Sequence, residues 1–226
     1  MPAARLFRAC ARVSLVLVIA SLGLLPVFPA EMGALPEGFQ TPIIAFELAR
    51  SPAEIEAMFG PPESAERAAW AEAMELGNVL DFGYLVLYGA VLTLAGRAFR
   101  RAGARWAVIA EVGGPVAALA DIVENVHLLR LTSALGHVDA ATVSGLVVFT
   151  WLKWGAIAAS FAALASACLR GSSLERAAGG LFVLTALATA AAAVVRGAAA
   201  ELMALGVVLS FVCLALVVVR RARATA

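Results

Sequence analysis

Six predominantly apolar stretches, roughly 13–30, 77–96, 106–129, 141–168, 179–195 and 199–219, occupy most of this 226-residue chain. A bilayer core is about 30 Å thick and takes about 20 apolar residues per helical crossing. Inside it every backbone N–H and C=O must be bonded within its own segment, which favours helices. The stretches therefore predict an all-α fold, an integral membrane helical bundle of six transmembrane helices. A soluble domain is excluded by composition, with 62% hydrophobic residues, 15% charged residues and a mean hydropathy of +0.92. No basic patch with interleaved aromatics suggests a nucleic acid. The first partner is the lipid bilayer.

Arginine near span ends is retained on the cytoplasmic side. Arg5, Arg8 and Arg12 precede the first stretch, Arg97, Arg100, Arg101 and Arg105 follow the second, Arg170 and Arg176 follow the fourth, and Arg220, Arg221 and Arg223 follow the sixth. Only Arg50, Arg67, Arg130 and Arg196 belong to the other side. Twelve against four places both termini in the cytoplasm of a multi-pass protein of the bacterial inner membrane. The arginines before Val13–Phe28 also resemble a signal peptide, but Phe28 three positions before a cut after Ala30 makes a poor cleavage site. An uncleaved signal anchor is expected. Cys10, Cys168 and Cys213 form no CxxC pair, which leaves disulfide, zinc-finger and thiol-redox readings without support.

Residues 31–76 form the one sizeable loop, acidic and extracytoplasmic, with nine glutamates against two arginines. Thr41 before Pro42 is a helix start, Ser51 with Glu54 is a capping box, and Gly60-Pro61-Pro62 is a stop and restart. Short helices are expected here, with apolar faces from Phe39, Phe46, Met58, Phe59, Trp70 and Met74. They lie on the membrane surface or across the mouth of the bundle, or else the loop is simply solvated and acidic by the charge rule.

Polar residues concentrate between Asn78 and Trp154. Asn78, Asp81, Tyr84 and Tyr88 share one face of the second span, and Asp121, Glu124, Asn125 and His127 lie along the third. Lys153, the only lysine beside sixteen arginines, sits deep in the fourth span between Trp151 and Trp154. At about 1.5 Å per residue, Asp81 and Glu124 lie about 6–7 Å below the outer edge, Asp121 about 12 Å and Lys153 about 16 Å. An intramembrane ammonium is costly and marks a functional site by default. Its expected partners are Asp81, Asp121 and Glu124, with Tyr84 and Tyr88 leading inward and Asn125 and Trp154 beside them.

Three carboxylates against one ammonium leave two negative charges uncompensated in a low-dielectric setting. Either two of them are protonated, or water reaches them, or a bound cation shares them. The first function this suggests is binding of a small or lipidic ligand, or proton- or cation-coupled transport. An enzyme acting on a lipid, with Asp121 and Glu124 as acid and base, is the second. The third is a purely structural cluster that fixes helix packing. No resident cofactor is expected beyond such a cation. Glu124 and His127 form a lone Glu-x-x-His, a metal signal that lacks the second copy a di-iron bundle uses. Ser144 and Ser160 lack a nucleophile context, and Gly113-Gly114-Pro115 reads as a helix kink that frees a carbonyl.

The 179–219 hairpin is rich in alanine with Gly180, Gly197 and Gly206, and such small residues suit close packing or a homo-oligomer surface. Three short motifs complete the pattern: Phe46-Glu47-Leu48-Ala49, Asp81-Phe82-Gly83-Tyr84 and Asp121-Ile122-Val123-Glu124-Asn125. Together they resemble a recurring type of uncharacterised bacterial polytopic membrane protein over about residues 40 to 155. The resemblance implies a helical membrane fold and supplies no activity, substrate or cofactor.

Overall fold

The structure is a computed structural model that describes residues 1–224. It is all-helical over those residues, with six helices long and apolar enough to cross a membrane. These are α1 (Ala3–Leu24), α4 (Ala65–Arg101), α5 (Val108–Ser133), α6 (Ala140–Cys168), α7 (Ser173–Val195) and α8 (Ala198–Ala224). Two short helices, α2 (Pro42–Glu47) and α3 (Pro52–Phe59), lie between α1 and α4.

The helix limits follow the caps more closely than the hydropathy. Residues 13–30 were the expected first span, yet α1 begins just after Pro2 and ends before Pro26, because only proline breaks the pattern there. The expected second span, 77–96, starts twelve residues late. Ser64 accepts from the Arg67 backbone N–H at 3.1 Å and starts a 37-residue helix, so Trp70 and Met74 belong to α4 and not to the loop. At about 1.5 Å per residue α4 is about 55 Å long, well beyond a bilayer core. Its first turns carry Glu66, Arg67, Glu72 and Glu75, so the polar excess lies at the end that joins the loop. Asp139 caps α6 by accepting from the Thr142 N–H and hydroxyl at 2.8 and 2.6 Å. At the start of α7 the Glu175 side chain accepts from the Ser172 N–H at 2.7 Å.

The long helices pack as a ring in the order α1, α4, α5, α6, α7, α8, closed by α8 against α1. Glycines set the closest approaches. A Cβ on Gly114 would lie 2.4 Å from the Gly89 carbonyl oxygen, and one on Gly113 would lie 2.2 Å from the Ser160 hydroxyl. Residues 113–115 thus serve helix contact, and α5 continues as α-helix through Pro115. Small residues at such crossings let backbones come together where lipid offers no hydrophobic drive.

Aromatic side chains fill the ring at mid-height. Phe161 packs 5.0 Å from both Phe182 and Phe211, and Tyr88 lies 6.1 Å from Phe211. At the loop end, α2 crosses the mouth and touches α5, α6 and α8. Ile44, Ala45, Phe46, Leu48 and Ala49 are buried, and Phe46 meets Phe59 of α3 edge-on at 5.3 Å. The acidic loop is therefore packed into the bundle by an apolar face.

Candidate functional site

Lys153 is 5% exposed, on a face of α6 that turns into the ring. Its ammonium donates to Glu47 Oε2 at 3.0 Å and sits 2.7 Å from Glu124 Oε2 and 3.5 Å from Asp121 Oδ1. The last two contacts are ionic, since neither oxygen has an aligned hydrogen-bond donor. Trp154 adds its indole N–H to Glu47 Oε2 at 3.2 Å, and its ring lies 4.9 Å from the ammonium.

The carboxylates are held from several elements. Asp121 accepts from the Tyr88 hydroxyl at 2.7 Å, and Glu124 from Thr150 at 2.9 Å. Thr150 is one turn before Lys153, so α6 brings ammonium and hydroxyl to the same carboxylate. Burial pushes the Glu47 carboxyl up from its usual range; Lys153 pulls it down, and Asp121 pushes it up again. The net direction is upward because burial outweighs the pull of Lys153.

Asp81 departs from expectation. It makes no ion pair with Lys153 and instead accepts from the Asn125 amide at 2.8 Å. The carboxylate that takes its place is Glu47, which the sequence reading left outside the site. Two signals in the sequence mark it: Glu47 is the one acid in the apolar run from Ile43 to Ala49, and it belongs to the Phe46-Glu47-Leu48-Ala49 motif. Tyr84 accepts from Ser21 of α1 at 3.3 Å and packs edge-on to Tyr88 at 5.9 Å.

His127 faces away from the cluster. Its Nδ1 lies 2.7 Å from the Val123 carbonyl oxygen, its ring stacks on Phe149, and its Nε2 lies against Gly145. Glu124 points to Lys153 and Thr150, so the Glu-x-x-His pair does not converge on one ion. Among the described residues no three His, Cys, Asp or Glu side chains are placed to hold a metal.

Beside the ionic layer lies a cavity of about 490 Å³. Its polar end is formed by Glu47, Asn78, Asp81, Tyr84 and Asn125; Asp121, Glu124 and Lys153 do not border it. Leu22 and Leu25 at the end of α1, and Val208 and Val212 of α8, line its other side and are also exposed on the outside of the bundle. The cavity therefore reaches the exposed surface of the bundle along α1 and α8. Phe211, which packs on Tyr88 and Phe161, forms part of its wall.

The 179–219 hairpin also contributes more than packing, because its turn fixes the loop over the cavity. Arg196 donates to both Glu54 oxygens at 3.0 and 2.9 Å and to the Leu48 carbonyl at 2.7 Å. Its backbone is at φ 60°, the one positive φ outside glycine among the described residues, a conformation that a non-glycine residue keeps only when its surroundings impose it. Glu201 accepts from the Gln40 and Thr41 N–H groups at 2.9 Å and from the Thr41 hydroxyl at 2.6 Å. Thr41 thus turns its side chain to α8 and does not cap α2. In the same way Ser51 accepts from the Glu54 N–H at 3.2 Å, while the Glu54 side chain completes no capping box and goes to Arg50 N–H and Arg196.

Compared with family models, with curated proteins and with solved structures, the chain matches none.

Proposed function

We propose that this multi-pass protein binds a small amphiphile in the cavity between its first and last helices, polar end inward and hydrocarbon toward the bilayer. The observation that carries the reading is the shape and chemistry of one space. About 490 Å³ falls within the usual size of small-molecule sites, about 300–1,000 Å³. Apolar residues of α1 and α8 form its membrane side, and carboxylates and amides form its inner wall.

Glu47 belongs both to that wall and to the Lys153 layer, so ligand occupancy and the proton or cation balance of the buried layer are coupled. The acids of the three short motifs lie in the cavity wall (Glu47, Asp81) or at Lys153 behind it (Asp121, Glu124), which supports a shared site behind the resemblance. An acid–base role for Asp121 and Glu124 has less support, because neither borders the cavity. The arginine asymmetry supports an inner-membrane orientation with both termini cytoplasmic and the cavity in the outer half.

The test is to extract the protein with a disc-forming polymer and identify co-purifying amphiphiles by mass spectrometry. Val208→Trp and Leu22→Trp fill the cavity from opposite walls. A species that is enriched with the wild type and lost from both variants, at unchanged thermal stability, is expected. Equal lipid content in all three would remove the proposal.

A further inference from the structure

The cavity wall carries carboxylates without a cation of its own. Glu47 and Asp81 border it, and among the described residues its lining contains no lysine, arginine or histidine. Lys153 stands behind Glu47 and is shared with Asp121 and Glu124. Asp81 has the Asn125 amide as its hydrogen-bond donor. Positive charge is therefore lacking on the cavity side, where a phosphate or carboxylate head would meet like charge and a neutral head would leave the imbalance in place.

A second observation is independent of the acids. Asn78, one turn before Asp81 on α4, is 1% exposed, borders the cavity, and its amide Nδ2 has no hydrogen-bond partner among the described residues. A buried donor left unmade is costly and is normally satisfied. An acceptor atom of the occupant supplies what the chain does not.

Resting on the binding reading above, we propose that the occupant is a single-chain amphiphile whose head is a protonated amine next to an uncharged oxygen. The ammonium faces Asp81, with Glu47 beside it, and the oxygen accepts from Asn78 Nδ2. The hydrocarbon chain leaves between Leu22 and Leu25 at the end of α1 and Val208 and Val212 of α8. The chemical class is a long-chain amino alcohol, without a phosphate.

The test uses the full chain in nanodiscs of zwitterionic phosphatidylcholine, with binding to empty discs subtracted. Four tritiated probes of equal chain length are compared: aminododecanol, dodecylamine, dodecanediol and dodecyl phosphate. Aminododecanol is expected to bind saturably, one per protein, about tenfold or more tighter than the diol, as befits a charge-assisted bond. Asp81→Asn keeps a partner for Asn125 and should remove most of that preference while leaving the diol unchanged. Diol or phosphate binding as tightly as the amino alcohol overturns the cationic head and leaves the cavity as a ligand site. Dodecylamine binding as tightly as aminododecanol overturns the contact to Asn78. No saturable binding by any probe overturns this inference together with the binding reading.

Discussion

Glu47, the last residue of a six-residue helix in the loop, lies 3.0 Å from Lys153 in the interior of α6, across a sequence separation of 106 residues. This one contact ties the loop to the bundle and joins the cavity wall to the buried ionic layer. It also changes the charge count, since four carboxylates, Glu47, Asp81, Asp121 and Glu124, now gather near one ammonium. Glu47 and Asp81 are the two that an occupant can reach.

Removing the ammonium should be severe. Lys153→Met leaves Glu47, Asp121 and Glu124 facing one another in a buried setting, and breaking a buried pair from one side costs about 3–5 kcal/mol. Adding Glu124→Gln removes one of the stranded charges and should restore a large part of the loss. Unfolding midpoints of the wild type, both single variants and the double variant in micelles measure this coupling. Simple additivity of the two substitutions would show that the pair does not interact.

The Glu47 carboxyl is held above its usual range by burial, so at pH values between the unfolded and the raised folded value the folded protein binds a proton there that the unfolded chain has released, and above that window it is the carboxylate that meets Lys153. Its contribution to stability is fully present below the ordinary carboxylate range and is lost as pH rises toward the raised folded value. The slope can reach about 1.4 kcal/mol per pH unit for one proton. Glu47→Gln should flatten the decline of the unfolding midpoint over that window. An unchanged pH profile in the variant would place the proton elsewhere.

The six crossings and the polar stripes were legible because hydropathy and helical spacing are local properties. Asp121, Glu124 and Lys153 were matched correctly, since their helices are consecutive in the chain and neighbours in the ring. Asp81 was assigned to the wrong partner because depth along an axis says nothing about rotation around it. Glu47 and the Arg196 and Glu201 anchors were missed for another reason. They join a loop to helices more than a hundred residues away, and no periodicity reports such a pairing. The start of α4 was read late because its first turns are polar enough to stand in water while remaining helix.

Two glycines of α4 should respond in opposite ways. A Cβ on Gly96 would lie 2.3 Å from the Glu111 backbone nitrogen and 2.7 Å from the Ala107 carbonyl oxygen, so Gly96→Ala must push α5 away. Overpacking of this kind costs about 1–3 kcal/mol. Gly83 is exposed and has nothing within 4 Å of its would-be Cβ. Gly83→Ala should be neutral or stabilise by about 0.5–1 kcal/mol through the unfolded chain. Thermal unfolding of the two variants distinguishes them, and a loss of stability in Gly83→Ala would count against the exposed placement of this face.

The loop should open before the bundle does, and acid should open it. For Glu54, burial raises the carboxyl but is outweighed by its bonds from Arg196 and the Arg50 backbone N–H, which hold it below the usual carboxylate range. A depressed carboxyl contributes stability that is present above its unfolded value and lost as pH falls through the folded one. Charge-assisted bonds of this kind are worth about 1.5–3 kcal/mol each when well shielded, and the partial exposure of this pair reduces that figure. Arg196→Leu should therefore raise amide exchange and protease cleavage across residues 31–64 at neutral pH, with little change in the exchange of α5 and α6. The wild type should reach the same loop exchange only in acid. Loop exchange that is equal in the variant and the wild type at neutral pH would show that the apolar face of α2, with Phe46 against Phe59, holds the loop without the latch.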